Sequence, residues 1–140
     1  MRLDNLPFPV FGDPVYRGKC PLEKVEQVSV VNRIRSTYPD TWGLLLLHPR
    51  NEGLKERGQF STVIKHKAEG MAPGASDLVI PAARAFVCEI KRLDHTKSAW
   101  QPMQIEYLTA AHNAGAFACV ALGAVGAWMA FEVWKGLQHG

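Results

Sequence analysis

Two short apolar runs, Asp77 to Ile80 and Ala85 to Ile90, are separated only by Pro81-Ala82-Ala83-Arg84, and no other feature constrains the fold as much. Each run has the length of a strand and the tetrapeptide between them reads as a turn, so the spacing predicts a hairpin. The hairpin carries charges in unusual places. Asp77 opens the first run, and Glu89 with Lys91 closes the second. Side chains alternate across a strand, so Glu89 and Lys91 project from one face while Ile90 points to the other. Pairing of the two strands lets Asp77 and Glu89 converge at one end of a sheet. Beside Val87, Cys88 and Ile90 such charges are costly unless they are paired or hold a metal.

The rest of the chain supplies the layers around this hairpin. Residues 1–20 carry Pro7, Pro9, Pro14 and two glycines and read as an irregular arm, leaving 21–140 as a single domain. From Pro21 to Tyr38 the apolar positions Leu22, Val25, Val28, Val31 and Ile34 recur at helical spacing, with Pro39 as the stop. Trp42 to Leu47 is wholly apolar and predicts a buried strand. Asn51 to Gly70 is polar and basic, a loop with room for one helix. Lys97 to Asn113 shows helical periodicity through Met103, Tyr107, Leu108 and Ala111, with Gly115 at the C-cap. A strand over Ala116 to Leu122, a turn at Gly123 and a closing helix from Val125 to Leu137 complete an α/β order.

Composition removes some alternatives. With 140 residues, of which 47% are hydrophobic and 21% charged, the chain can bury a core. The net charge of +3 permits contact with nucleic acid without requiring it. Cys20, Cys88 and Cys119 form no CxxC pair, which suits neither a zinc site nor a disulfide framework and points to a reducing interior. The stretch from Ala114 to Phe131 lacks charge over a membrane-spanning length, but Gly115, Gly123 and Gly126 interrupt it. A strand, a turn and a packed helix account for it, and no membrane partner is expected.

Two nearby carboxylates repel each other, and a hard divalent cation such as Mg²⁺ or Mn²⁺ with oxygen ligands resolves that repulsion. Such an ion polarises a phosphodiester and acidifies water, while a lysine beside it can orient that water or stabilise developing charge. Asp77, Glu89 and Lys91 therefore have the elements of phosphodiester hydrolysis. The competing reading is a strand-edge aspartate beside a solvated Glu89–Lys91 ion pair.

At this point the chain resembles the VRR-NUC branch of the PD-(D/E)XK nucleases over roughly residues 22 to 122. His48-Pro49-Arg50-Asn51-Glu52-Gly53 looks like that family's turn after its first strand. Ala68-Glu69-Gly70, then Gly74, Ser76, Asp77 and Leu78, resembles its G…G.PDL signature, with Ser76 in place of the proline. Glu89-Ile90-Lys91 resembles its ExK, and Gln104, with Leu108, Ala114 and Gly115, its glutamine-led helix. Glu23 with Gln27 fits its E-x-x-x-Q, with Glu26 as the competing acid.

The resemblance implies a restriction-endonuclease-like α/β fold with a mixed central sheet flanked by helices. It also implies that Asp77, Glu89 and the carbonyl of Ile90 hold the metal, that Lys91 assists catalysis, and that Glu23 and Gln104 join the site. Small standalone members imply a homodimer acting on branched DNA in the cytoplasm or nucleoid of a bacterial or phage-infected cell. Lys65, Lys67, Arg92 and Lys97 flank the motifs and are expected to bind phosphates. His48 and His95 have no partner at metal-binding spacing and are expected to be non-catalytic. Trp100 is assigned to packing. The segment around Trp128, Phe131 and Trp134 serves either as core or as a dimer surface.

Overall fold

The computed structural model describes residues 1–49 and 72–138. The basic stretch with Lys65 and Lys67, Arg50 to Gly53 of the turn motif, and Ala68-Glu69-Gly70 lie outside the described residues. The elements run β1 (Val10–Phe11), α1 (Glu23–Thr37), α2 (Trp42–Leu45), β2 (Leu78–Ile80), β3 (Phe86–Lys91), α3 (Gln104–Asn113), β4 (Phe117–Leu122) and α4 (Gly123–Leu137). The four strands form one sheet in the order β1-β4-β3-β2. β3 pairs parallel with β4 and antiparallel with β2, so the sheet is mixed.

The predicted hairpin is present, with Leu78 opposite Cys88 and Ile80 opposite Phe86. Its alternation divides the core. Phe86, Cys88 and Ile90 face α1 and α4 with Phe117, Cys119 and Ala121, while Val87, Ala118 and Val120 face Leu108 of α3 and Phe8 of the arm. β3 and β4 are buried along their whole lengths, as expected of strands covered on both faces.

Four expectations need correction. Residues 1–20 are not wholly irregular, because Val10 and Phe11 add a parallel edge strand along Val120 and Ala121. That strand escapes sequence reading because it is two residues long between Pro9 and Gly12. The predicted strand Trp42–Leu47 is instead the helix α2. A short apolar run carries no periodicity, and Gly43 decides this one: its amide caps the Tyr38 carbonyl at 2.8 Å, and a Cβ there would lie 2.6 Å from that oxygen. Only Leu47 keeps a bridge, to Val79.

The buried face of α1 is also shifted. It runs through Glu26, Gln27, Val30, Val31 and Ile34, while Leu22, Val25 and Val28 are exposed. A strict spacing of three lags the 3.6-residue turn, so a stripe read that way drifts off the core face. Finally, α3 begins at Gln104 rather than Lys97. Asp94 caps a short 3₁₀ turn at His95–Lys97, and Gln101 to Gln104 form a tight turn through Pro102 and left-handed Met103 (φ 72°), with the Gln104 amide donating to the Gln101 carbonyl, so the helix starts only after it.

Phe131 and Trp134 are fully buried, and Trp128 packs against that core, so this segment is core rather than surface. Val125, Met129, Val133 and Leu137 form the exposed face of α4. Among the described residues, no helix is long and apolar enough to cross a membrane.

Candidate active site

The site is built by the end of the β2–β3 ladder. The last paired residues are Leu78 and Cys88, so one step further Asp77 falls opposite Glu89 on the same face. Leu47 exchanges both backbone hydrogen bonds with Val79, which turns the amides of Leu78 and Ile80 toward β3. By the same alternation Cys88 and Ile90 turn theirs toward β2. Past the end of β2 the Ile90 amide has no strand to bond, and it donates to Asp77 Oδ2 at 2.8 Å. The Ile90 carbonyl therefore opens on the edge where Asp77 sits.

His48 pins the other side of Asp77. Its Nδ1 lies 2.7 Å from the Asp77 carbonyl oxygen, and because a carbonyl only accepts, Nδ1 carries the proton. Gly74 sets the approach of this segment to α3. It has φ +71°, and a Cβ there would lie 2.3 Å from the Met103 carbonyl. The backbones on either side of the site thus touch directly, which only glycine permits.

From α3, Gln104 joins the two charged residues of β3. Its Nε2 donates to Glu89 Oε1 at 2.8 Å, and its Oε1 accepts from Lys91 Nζ at 2.8 Å. Lys91 Nζ also donates to the Ala99 carbonyl at 2.8 Å. Its direct distance to Glu89 Oε1 is 3.9 Å, the outer limit of an ion pair, so the amide and not a salt bridge sets the spacing. Lys91 is 1% exposed, Glu89 2%, Asp77 8% and Gln104 8%. The solvated ion pair that competed with the functional reading does not exist.

Burial pushes both carboxyls above their ordinary range, and Glu89 further than Asp77. Asp77 is partly held down by the Ile90 amide, whereas Glu89 is pushed up further by the charge of Asp77. Without a cation, burial and mutual repulsion both favour protonation of the pair, with Glu89 the carboxyl pushed further. The charge of Glu23 raises both groups as well, which places this residue rather than Glu26 in the field of the site. Glu23 Oε2 accepts from Ser98 Oγ at 2.6 Å. Glu26 points elsewhere, with Oε2 over Gly123.

The donor set suits a hard divalent cation. Glu89 Oε2 is a buried oxygen with no hydrogen-bond partner among the described residues, and the hydroxyl of Ser76, next to Asp77, is likewise orphaned. A buried, partnerless carboxylate oxygen beside a second carboxylate is what a bound cation would complete. Among the described residues no three His, Cys, Asp or Glu side chains cluster as ligands. A cation here would use two carboxylates and the Ile90 carbonyl, with water for the rest.

The expected phosphate-binding residues have other contacts. Arg92 donates to the carbonyls of Cys20 and Pro21, at 2.7 and 3.0 Å, and Lys97 to that of Gly18 at 2.8 Å. Trp100 Nε1 donates to the Arg2 carbonyl and its ring meets Phe8 edge-on, so it packs as expected. His95 bonds the Met1 carbonyl. Sequence reasoning missed the positions of His48 and Ser98 in the site. The only sequence signal for His48 was its place in the turn motif, and Ser98 had none.

No family model and no curated protein sequence matches the chain. Among solved structures, one titled "VRR_NUC domain protein" superposes with a TM-score of 0.67 over 87% of this chain and 93% of that one, at 22% identity. Four mixed strands, their flanking helices and this superposition make the chain's fold that of a VRR_NUC domain, the restriction-endonuclease-like α/β fold.

Proposed function

We propose that the protein is a Mg²⁺- or Mn²⁺-dependent DNA endonuclease that hydrolyses phosphodiester bonds, with branched DNA as its substrate. The observation that carries this reading is the buried facing of Asp77 and Glu89, with an orphaned Glu89 oxygen and Lys91 alongside. A cation bound by Asp77, Glu89 and the Ile90 carbonyl would supply Lewis-acid polarisation of the scissile phosphate. The chain's own residues do the rest. Gln104 and the Ala99 carbonyl use two of the three ammonium protons of Lys91 and direct the third into the site, toward an attacking water or the phosphate oxygens. The Ile90 amide and His48 hold Asp77 at both its carboxylate and its carbonyl, so the ligand is fixed before substrate arrives.

A four-way junction is resolved by two symmetric cuts, and a chain with one site supplies two as a C₂ dimer. The exposed stripe of Val125, Met129, Val133 and Leu137 on α4 is the surface we assign to that contact. A monomeric mass by light scattering at micromolar concentration would count against junction resolution and favour a flap or single-strand nuclease.

The deciding experiment incubates the protein with labelled four-way junction, flap, single-stranded and linear duplex DNA, with Mg²⁺, Mn²⁺ or chelator, alongside Lys91→Ala. Metal-dependent cutting lost in the variant is the expected result. Intact binding with no cutting of any substrate would leave a DNA-binding module without catalysis.

A further inference from the structure

The segment from Arg92 to Trp100, which follows β3, has two sides. One serves the site through Ser98, which donates to Glu23, and through the Ala99 carbonyl, which receives Lys91. The other is covered by the N-terminal arm. The Gly18 amide donates to Asp94 Oδ2 at 3.0 Å, Lys97 Nζ donates to the Gly18 carbonyl, and Arg92 donates to the carbonyls of Cys20 and Pro21. Arg17 is near enough that its charge helps hold Asp94 down, at about 2, an effect led by the Thr96 hydroxyl and the Gly18 amide. The strap thus brings Arg17 and Lys19, both exposed, beside Arg92 and Lys97, although the two pairs are far apart in sequence.

The carbonyls that receive Arg92 and Lys97 carry no net charge. None of these four cations forms a close salt bridge with a carboxylate among the described residues, although Arg17 lies in the field of Asp94 and donates to the carbonyls of Pro14 and Tyr16. Two protons of Lys97 and three guanidinium N–H groups of Arg92 remain for other acceptors. α1 starts directly after the strap with Leu22 as its cap and no side-chain bond there, so the positive end of the helix opens on the same rim.

We propose that this strap is a phosphate-binding rim, where Arg17, Lys19, Arg92 and Lys97 grip backbone phosphates of DNA that crosses the residue 92–100 segment on its way to the site. The inference rests on the nuclease reading above and adds Arg17 and Lys19, which the sequence did not connect with the site. Contacts to phosphates alone carry no base information, so the rim would hold DNA by charge whatever its sequence.

The test is Arg17→Gln/Lys19→Gln, with binding of a fluorescent duplex followed by anisotropy in chelator at rising salt. Each lost phosphate contact lowers the slope of log Kd against log salt by about 0.9, so the double variant should lose about 1.8. Between about 50 and about 200 mM salt, the wild type should then lose roughly twelvefold more affinity than the variant. An unchanged slope overturns the rim. Should the double variant melt early, Lys19→Glu alone must still lower the slope by about 0.9 or more. Cutting by the wild type is measured separately with Mg²⁺. Cutting with an unchanged slope sinks the rim and leaves the nuclease. A lowered slope without cutting keeps the rim and sinks the nuclease, and a wild type that binds no DNA sinks both.

Discussion

Glu89→Gln should make the metal-free protein more stable while removing its activity. Glu89 is 2% exposed, its Oε1 accepts from Gln104, and its Oε2 has no partner among the described residues. Once Glu89 loses its proton, that buried oxygen faces Asp77 with nothing to share, and an unsatisfied buried polar atom costs about 1–3 kcal/mol. The amide keeps the acceptor for Gln104 and turns an NH₂ toward Asp77, which lies within hydrogen-bonding reach. For 140 residues the unfolding entropy near the midpoint is about 0.3 kcal/mol/K, so the gain corresponds to roughly 3–10 °C in Tm.

The pH dependence follows from the direction of the shift. Glu89 has a folded pKa raised well above 4.5, so its unfolded state ionises first. The stability linked to its bound proton is complete below the unfolded value and is lost as pH rises through the raised folded value. Calorimetry in chelator from about pH 5 to about pH 9 should therefore show the wild type falling progressively behind the variant. Saturating Mg²⁺ should close the gap for the wild type only, by about 2.7 kcal/mol at a hundredfold excess over Kd. A variant less stable at every pH, or a gap independent of pH, would refute the account of the carboxylate pair.

Four further outcomes are expected. Lys91→Met, which keeps the buried stem of the side chain, should reduce the cleavage rate about 10²–10³-fold while circular dichroism still reports a folded protein. Gln104→Ala cuts the bonds to both Glu89 and Lys91, and isothermal titration should show Mg²⁺ affinity falling about 10–100-fold. His48→Ala should cost about 0.5–1.5 kcal/mol in urea unfolding and lower the cleavage rate, with His48→Asn restoring part of both through its amide donor. Gly74→Ala sets a methyl 2.3 Å from the Met103 carbonyl at φ +71°, so it should lose about 1–3 kcal/mol by denaturant titration and uncouple Gln104 from the site.

How much of this was legible beforehand depends on the range of the interactions. The hairpin, the facing of Asp77 and Glu89, and the strand–helix order after Gly115 rest on contacts within a few residues, and their patterns are written locally. The predicted strand Trp42–Leu47 failed because a short apolar run is compatible with either conformation. Its environment, the carbonyl of Tyr38 over Gly43, belongs to another element. Glu23 and Glu26 are both acids in the first turn of α1 and are indistinguishable as letters. Rotation of the helix against β3 and α4 turns one toward Ser98 and the other over Gly123.

The amino-acid sequence by itself determined which groups meet: two carboxylates and a lysine at the ends of paired strands, because alternation along a strand is a local rule. The tertiary structure decided which groups surround them. Their near-complete burial, the bridge through Gln104, the clamp of His48 and the seating of the arm on residues 92–100 join parts of the chain distant in sequence. Such contacts depend on how packed layers dispose of buried polar groups, and no periodicity along the chain records that outcome.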